Sequence, residues 1–356
     1  MREEDTVSVG EIESDCFRHR ETSPSVGADR ISIGVERSGI SGQDQGVSST
    51  RGKLVAGTWF RFLFERAGVL GAWLRHPARS KLVFESGELE GIWGKHVESE
   101  CLFLATDTLS FLNGTSASNI AFGCGLNNGG QGFQGSGLVS LGRGALSLVS
   151  QLNEPKFSYC LTPPSSSEIS LLLLGSSANK PLAGPFKTTP LVRNPVETSI
   201  YYVNLHGISI GGAPLDIPPG TFTTNPNGSG GTIIDSGTTV LILNTTAYSL
   251  VNSTLSSLIK LEQVSLPPVT GLGPCWKTPM SNYTFPSFIL HLDGADWELP
   301  SENYLIEEPS SGATCLAVAL SYEYSIIGNI AQHNTLIVYD LVKETLSFAP
   351  ADCSGI

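Results

Sequence analysis

The sequence has few charged side chains, and basic side chains are especially scarce. Charged residues make up 15% of the 356 residues, and 21 lysines and arginines stand against 33 acidic residues, which gives a formal net charge of −12. Nucleic acids and anionic membranes are polyanions, so a surface short of lysine and arginine binds them poorly. We therefore expect neither nucleic acid nor a membrane surface as a partner.

Other absences exclude further classes of protein. None of the seven cysteines lies in a Cys-x-x-Cys pair, and the six histidines lack the spacing of metal ligands, so we expect no metal site. The most apolar early stretch, residues 54–74, is interrupted by Arg61, Glu65 and Arg66 and is not a membrane span. Residues 1–5 are acidic and no apolar stretch follows them, so no signal peptide is visible in this chain.

Glycine and proline are abundant, with 39 and 21 residues, as in all-β proteins built from many short strands. Residues 1–100 show no clear hydrophobic period, and we interpret them as an unassigned, partly disordered segment. Short alternating strands dominate from residue 101 onward, and a turn-rich break near residues 162–190 separates residues 101–175 from residues 176–356.

A single longer helix is predicted from about residue 247 to 261. Asn244 or Thr245 can cap its N-terminus. Four apolar residues follow a helical spacing and predict its buried face. They are Leu250, Val251, Leu255 and Leu258.

Residues 230–239, with the sequence Gly-Gly-Thr-Ile-Ile-Asp-Ser-Gly-Thr-Thr, carry the strongest candidate site. The β-branched residues predict a buried strand that ends in the carboxylate of Asp235. Such a carboxylate is costly unless it is hydrogen-bonded, and glycine N–H groups and hydroxyls are suitable donors. The residues that follow can supply these donors: Ser236, Gly237, Thr238 and Thr239. By itself, this motif is also compatible with an Asx-turn that closes a strand.

Six stretches, in this order, resemble the pepsin family of aspartic proteases, and most closely the plant nepenthesin type. They are residues 105–109 (ATDTL), 120–125 (IAFGCG), 137–144 (GLVSLGRG), 156–160 (KFSYC), 233–239 (IIDSGTT) and 326–329 (IIGN). The resemblance runs from about residue 103 to the end of the chain. It implies an all-β, bilobal pepsin-like fold with an incomplete N-terminal lobe and a complete C-terminal lobe.

The resemblance implies an aspartic endopeptidase, in which two carboxylates share a proton and activate a water at acidic pH without a cofactor. Asp235 would be one of the two catalytic aspartates. Residues 326–328 would pack behind its loop, and residues 139–142 would be their first-lobe counterpart. Polypeptides would be the substrates, and we expect a monomer.

The resemblance also implies two disulfides, Cys160 with Cys353 and Cys275 with Cys315, each contributing about 2–5 kcal/mol. The partner of Cys124 stays open. Dispersed cysteines and Asn-x-Ser/Thr sequons favour the secretory pathway, and the resemblance implies an extracellular or vacuolar location. The candidate glycosylation sites are Asn113, Asn227, Asn244, Asn252 and Asn282.

The first-lobe half of the catalytic pair is not recognisable in the sequence. Residues 1–100 contain four aspartates, and none of them begins an Asp-Thr-Gly-Ser motif. No tyrosine precedes Tyr159, so the flap tyrosine of the family is missing as well. We interpret the chain as the second half of a first lobe and a complete second lobe, joined to an unrelated segment in a truncated or mis-joined gene product.

The sequence is compatible with three functions. The first is an aspartic endopeptidase impaired by the missing motif. Two copies of the chain could supply two carboxylates by pairing their Asp235 loops, but the retained half lobe would occupy the space that a partner needs. The second is a catalytically inactive pepsin-like binding or inhibitor protein, which the missing aspartate favours and the intact Asp-Ser-Gly-Thr-Thr disfavours. The third is a structural all-β domain without a site.

Overall fold

A computed structural model of the chain describes residues 32–33, 35–36, 102–111, 116–125, 139–179, 184–264, 273–308 and 311–355. These residues form mainly β-strands, as the composition predicts. No helix among them is long and apolar enough to cross a membrane. The expectations for the rest of residues 1–100 lie outside the described residues.

The described strands are short. In chain order they are β1 (Ser32–Ile33), β2 (Val35–Glu36), β3 (Leu102–Phe111), β4 (Ser116–Gly125), β5 (Lys156–Cys160), β6 (Leu171–Leu174), β7 (Lys187–Val192), β8 (Tyr202–Val203), β9 (Leu205–Ile210), β10 (Ala213–Pro214), β11 (Thr232–Ile234), β12 (Leu241–Asn244), β13 (Gln263–Val264), β14 (Cys275–Trp276), β15 (Phe288–Leu292), β16 (Ala295–Leu299), β17 (Leu305–Glu308), β18 (Ala313–Leu316), β19 (Val318–Ser321), β20 (Ser325–Ile327), β21 (Thr335–Asp340) and β22 (Thr345–Pro350).

An 11-stranded sheet organises the described part of the chain, in the order β19-β12-β20-β11-β8-β7-β22-β21-β5-β6-β2. Smaller sheets have the orders β1-β3-β4, β10-β9-β15-β16 and β13-β14-β18-β17. Strand β5 precedes the turn-rich break and β6 lies within it, yet β5 pairs with β21 near the C-terminus. The 11-stranded sheet therefore joins residues 101–175 to residues 176–356, and the domain boundary near residue 175 stays a prediction.

Strands β3 and β4 form an antiparallel hairpin, in which Ser110 lies opposite Ser116. The turn predicted at Asn113-Gly114 lies outside the described residues. Side chains of this hairpin that face inward, including Leu109 and Phe111, belong to the main hydrophobic core.

Two α-helices lie in the described residues, α1 (Leu148–Gln151) and α2 (Thr245–Leu258), together with 3₁₀ helices at Gly175–Asn179, Met280–Asn282, Ser301–Asn303 and Ile330–Gln332. Helix α2 begins and ends earlier than predicted, because Asn244 is the N-cap and Ile259 already has extended backbone dihedral angles. Val251 and Leu255 are fully buried, but Leu258 is 42% exposed, so the predicted apolar face extends one residue too far.

Both expected disulfides are formed. The Cys160–Cys353 bond joins β5 to the C-terminal segment over a sequence separation of 193 residues. The Cys275–Cys315 bond joins β14 to β18, where these two cysteines lie opposite each other in the sheet. The side chain of Cys124 lies outside the described atoms, so its partner stays open.

Candidate active site

Asp235 is the first residue after β11, and the pairing of that strand fixes where its carboxylate leaves the sheet. β11 runs parallel to β20, with Ile234 opposite Ile327. The backbone N–H of Asp235 continues the pairing and donates to the carbonyl oxygen of Ile327 at 3.1 Å. Ile234 and Ile327 both pack in the main core, so a buried strand pair anchors the partly buried Asp235.

The loop of Asp235 supplies two hydrogen bonds to its own carboxylate. The backbone N–H of Gly237 donates to Oδ1 at 2.8 Å, and the hydroxyl of Thr238 donates to Oδ2 at 2.7 Å. Burial raises the pKa of Asp235, and these hydrogen bonds oppose that rise without cancelling it. The carboxyl group is therefore held in one orientation, with its protonated form favoured relative to a free aspartate.

Gly328 allows β20 to continue directly beneath this loop. A Cβ at this position would lie 2.1 Å from the carbonyl oxygen of Val240 and 2.7 Å from that of Thr238. Real Cβ atoms do not approach main-chain oxygens so closely, so the position requires glycine. This arrangement agrees with the expectation that residues 326–328 pack behind the loop of Asp235.

Residues after Gly328 hold the far side of the loop. The N–H of Asn329 donates to the carbonyl oxygen of Thr238 at 2.7 Å, and that of Ile330 donates to Thr239 at 3.1 Å. The side-chain amide of Asn329 donates to the carbonyl oxygen of Ser236 at 3.2 Å. All four residues that follow Asp235 thus take part in hydrogen bonds that fix the loop.

A buried polar network lies under the strand pair and was not predicted. The amide nitrogen of Gln332 donates to the carbonyl oxygen of Ile327 at 2.8 Å, and its amide oxygen accepts from the hydroxyl of Tyr159 at 2.5 Å. The hydroxyl of Tyr339 lies 3.2 Å from that of Tyr159. Burial raises the pKa of both tyrosines, so both stay neutral hydrogen-bonding groups. The sequence signal is a glutamine between two apolar stretches, which is too common to have identified it.

The expected first-lobe counterpart, residues 139–142, contacts the segment before β8. The hydroxyl of Tyr201 donates to the carbonyl oxygen of Leu141 at 2.8 Å. A Cβ on Gly142 would lie 2.9 Å from the carbonyl oxygen of Ser199, so this glycine also permits a close main-chain approach. Within the described residues, the hydrogen bonds to the carboxylate of Asp235 come from Gly237 and Thr238 of its own loop. A first-lobe aspartate would have to lie before Ala105. Of that part of the chain, the structure describes only residues 32–33, 35–36 and 102–104.

An apolar cluster lies beside Asp235 on the sheet face opposite the main core. We call it the Ile233 cluster; its buried members are Tyr202, Ile233 and Ile326, and its half-buried members are Val192, Ile200, Ile242 and Tyr324. Successive strand residues alternate between faces, so Ile233 points away from the core that Ile234 enters. An open cavity of about 390 Å³ adjoins this cluster, and Ile242, Tyr324 and Ile326 line it.

The histidines in the described part of the chain do not form a metal site. Among the described residues, no group of three or more His, Cys, Asp and Glu side chains could hold a metal ion. His206 pairs with Asp293 on the surface. His333 is buried, and burial lowers its pKa to about 4.

His291 lies between a serine and an aspartate. Its Nε2 is 2.7 Å from Oγ of Ser209, and its Nδ1 is 2.7 Å from Oδ1 of Asp296. These residue types form the catalytic triads of serine hydrolases, which also require free N–H donors for an oxyanion. Ser209 is only 8% exposed and lies within β9, between β10 and β15. We assign this group a structural role in the sheet.

Four candidate glycosylation sites fall in the described residues. Asn227 and Asn282 are exposed, Asn252 is half-buried within α2, and Asn244 is the N-cap of that helix. Asn113 lies outside the described residues.

Comparison with known families and relatives gives consistent matches over the same part of the chain. Residues 95–176 match the family described as xylanase inhibitor N-terminal, and residues 200–350 match xylanase inhibitor C-terminal. Aspartic proteinase nepenthesin-1 of Nepenthes gracilis is 48% identical over 263 residues, and nepenthesin-2 of the same plant is 40% identical over 264 residues. Each alignment covers 71% of this chain and 58% of the relative, so the chain spans a little over half the length of these relatives.

Solved structures agree on the fold. Conglutin gamma, a basic 7S globulin from lupine seeds, matches with a TM-score of 0.58 at 21% identity, over 71% of each chain. Basic 7S globulin from soybean matches with a TM-score of 0.55 at 21% identity, over 69% of this chain and 67% of that one. The ordered motifs, the sheet that supports Asp235 and these alignments together show that the chain belongs to the pepsin-like aspartic proteases, in the plant nepenthesin type.

Proposed function

We propose that Asp235 is one of the two catalytic carboxylates of an aspartic endopeptidase. The observation that carries this proposal is the fixed carboxyl group at the end of a buried strand, with Gly237 and Thr238 as donors and a raised pKa. Peptide hydrolysis by this chemistry needs one ionised carboxylate to take a proton from water and one protonated carboxyl to donate to the amide. Nothing in this mechanism requires a cofactor.

The chain itself supplies only one such motif, so we propose that it hydrolyses peptide bonds weakly or not at all as a monomer. Residues 1–100 contain no Asp-Thr-Gly sequence that could provide the second carboxylate. A single carboxyl group can activate water or donate a proton, but it cannot hold both protonation states in the same step. Impaired activity would follow from chemistry and not from misfolding.

The Ile233 cluster supports polypeptides with apolar side chains as the substrate class. It lies next to Asp235 and adjoins an open cavity that is lined by the exposed side chains of Leu320 and Tyr322. An apolar substrate side chain that enters there removes apolar surface from water on both partners. The dispersed disulfides and the plant protease relatives support an extracellular or vacuolar site of action.

Cleavage of a denatured protein substrate at about pH 3–4 tests the proposal. Asp235→Asn is the matched control, because asparagine keeps the size of the side chain and cannot act as the catalytic acid or base. Cleavage that a statine-type inhibitor and Asp235→Asn both abolish would establish Asp235 as catalytic and would overturn the proposed impairment. A rate that rises with the square of protein concentration would assign the second carboxylate to another copy of the chain.

No cleavage from a folded, monodisperse sample would agree with the missing second carboxylate. Adding the Asp-Thr-Gly-Ser half lobe of a relative as a separate chain then distinguishes the two remaining functions. Restored, Asp235-dependent cleavage would support an impaired endopeptidase. Continued inactivity of a folded complex would overturn the catalytic role of Asp235 and leave a pepsin-like binding protein.

A further inference from the structure

A polar cavity of about 370 Å³ opens to solvent beside the N-terminus of α2. Thr223, Asn225 and Ser229 line it from the loop before β11. Asn244 and Thr246 line it from the start of the helix, and Tyr322 lines it from the turn between β19 and β20. Hydroxyl and amide groups dominate the lining, and Glu323 adds one carboxylate to it. Such a lining disfavours an anionic occupant and suits an uncharged polar one.

Asn244 lines this cavity with a half-buried side chain. Its Oδ1 accepts a hydrogen bond from the backbone N–H of Thr246 at 3.0 Å and so caps α2. The carboxamide is planar, so Nδ2 points away from the helix, and no described residue accepts a hydrogen bond from it. Nδ2 is the atom to which an N-linked glycan is attached. Helix capping and glycosylation therefore use different atoms of Asn244 and do not compete.

The other described sequons lack such surroundings. Asn227 and Asn282 are exposed to solvent, and Asn252 lies along α2. None of these three lines the cavity beside α2 or the cavity at the Ile233 cluster, whereas Asn244 lines the first of them. The position of Asn244 is thus distinguished by space for a sugar next to the attachment atom.

Tyr322 provides a surface for that sugar. Its side chain is 84% exposed at the rim of the cavity, an unusual amount for a large aromatic residue. A pyranose ring has one face of C–H groups, which packs against an aromatic ring and removes apolar area from water. The hydroxyl and amide groups of the cavity can hydrogen-bond the polar edge of the same sugar.

We propose that Asn244 carries an N-linked glycan whose first N-acetylglucosamine occupies this cavity against Tyr322. This site goes beyond the proposed peptidase function and rests on passage through the secretory pathway. Transfer forms a bond from Nδ2 to the anomeric carbon, breaks the bond of that carbon to the diphosphate of a lipid-linked donor, and releases an amide proton. The bound sugar links the loop before β11, the start of α2 and the turn after β19.

The test uses the full chain secreted from a eukaryotic host, with all glycans trimmed enzymatically to one N-acetylglucosamine. Thr246→Val removes the sequon and keeps the Asn244 cap, and Thr284→Val removes the exposed Asn282 sequon as a matched control. Glycopeptide mass spectrometry should show Asn244 occupied. The melting temperature of the trimmed protein should be about 2–4 °C above that of Thr246→Val. In a protein of this size, that shift corresponds to about 1 kcal/mol of stability from the contacts of the sugar. Thr284→Val should not change the melting temperature.

In a Tyr322→Ala background, the melting temperatures with and without the Asn244 sugar should differ much less. A second readout needs no sequon variant: the acetyl methyl proton of the first sugar should be shifted upfield by the Tyr322 ring, and Tyr322→Ala should abolish that shift. An unoccupied Asn244 in the secreted, folded protein would overturn the proposal. So would an occupied Asn244 whose sugar shows neither the ring-current shift nor a change in melting temperature. None of these measurements depends on peptidase activity.

Discussion

Replacing Gly328 by alanine should destabilise the protein strongly, because the new methyl group would meet main-chain atoms. The added Cβ would lie 2.1 Å from the carbonyl oxygen of Val240 and 2.7 Å from that of Thr238, whereas ordinary contacts are 3.4–4 Å. A main-chain oxygen cannot rotate away as the end of a flexible side chain can. The strand and the loop must therefore separate by more than about 1 Å.

That separation would weaken the hydrogen bonds that hold the Asp235 loop. The bonds at risk are those from the N–H groups of Asp235, Asn329 and Ile330, at 3.1, 2.7 and 3.1 Å. Each contributes about 1 kcal/mol, and overpacking adds about 1–3 kcal/mol. We expect Gly328→Ala to lower the free energy of unfolding by about 4–6 kcal/mol in total. The melting temperature should fall by about 10 °C.

Thermal unfolding followed by circular dichroism checks this, with Gly184→Ala as the matched control. A Cβ at Gly184 would meet nothing within 4 Å, so its melting temperature should stay within about 2 °C of the parent protein. If Gly328→Ala also melted within about 2 °C of the parent, β20 would not pack against the Asp235 loop as described, and the reasoning would be wrong.

Three further predictions concern charge and covalent links. Asp235→Asn should raise the free energy of unfolding at pH 7, because burial raises the pKa of Asp235 and so destabilises its ionised form in the folded protein. The gain should disappear as the pH falls below the unfolded pKa of 3.8, where the carboxyl group is protonated in both states. Urea titrations check this, and an equal difference in stability between Asp235→Asn and the parent protein at pH 3 and pH 7 would show that the carboxylate is not destabilised. Replacing Cys160 and Cys353 by serine should lower the free energy of unfolding by about 5 kcal/mol, since the bond closes a loop of 193 residues; a loss below about 1 kcal/mol in urea would contradict this. Glu344→Gln should lower stability by about 1–2 kcal/mol at pH 7, because the buried guanidinium of Arg143, 2.6 Å away, loses its counter-charge. Partial burial of Glu344 opposes its ionisation, yet hydrogen bonds from Arg143 and Arg193 hold its pKa below 4.5. The stability that the ionised Glu344 contributes is therefore present above pH 4.5 and should vanish as the pH falls through the lowered pKa.

The position of Asp235 and its hydrogen bonds could be predicted because the donors are neighbours in the chain. Gly237 and Thr238 lie two and three residues after the carboxylate, and such short-range bonds form whatever the rest of the fold does. The Asn244 cap of α2 follows from the same local rule. The end of α2 was predicted too late, because apolar spacing alone does not reveal where the backbone turns extended at Ile259.

The sequence by itself determined the β-rich architecture, the turn-bounded strands and a carboxylate held by its own loop. Only the tertiary structure decided what surrounds that carboxylate. Gln332 and Tyr159 meet across a sequence separation of 173 residues, because β21 pairs with β5 in the 11-stranded sheet. Gly328 lies under the loop because β20 runs parallel to β11. Contacts between residues far apart in the chain depend on the order of strands in a sheet, and no local pattern encodes that order.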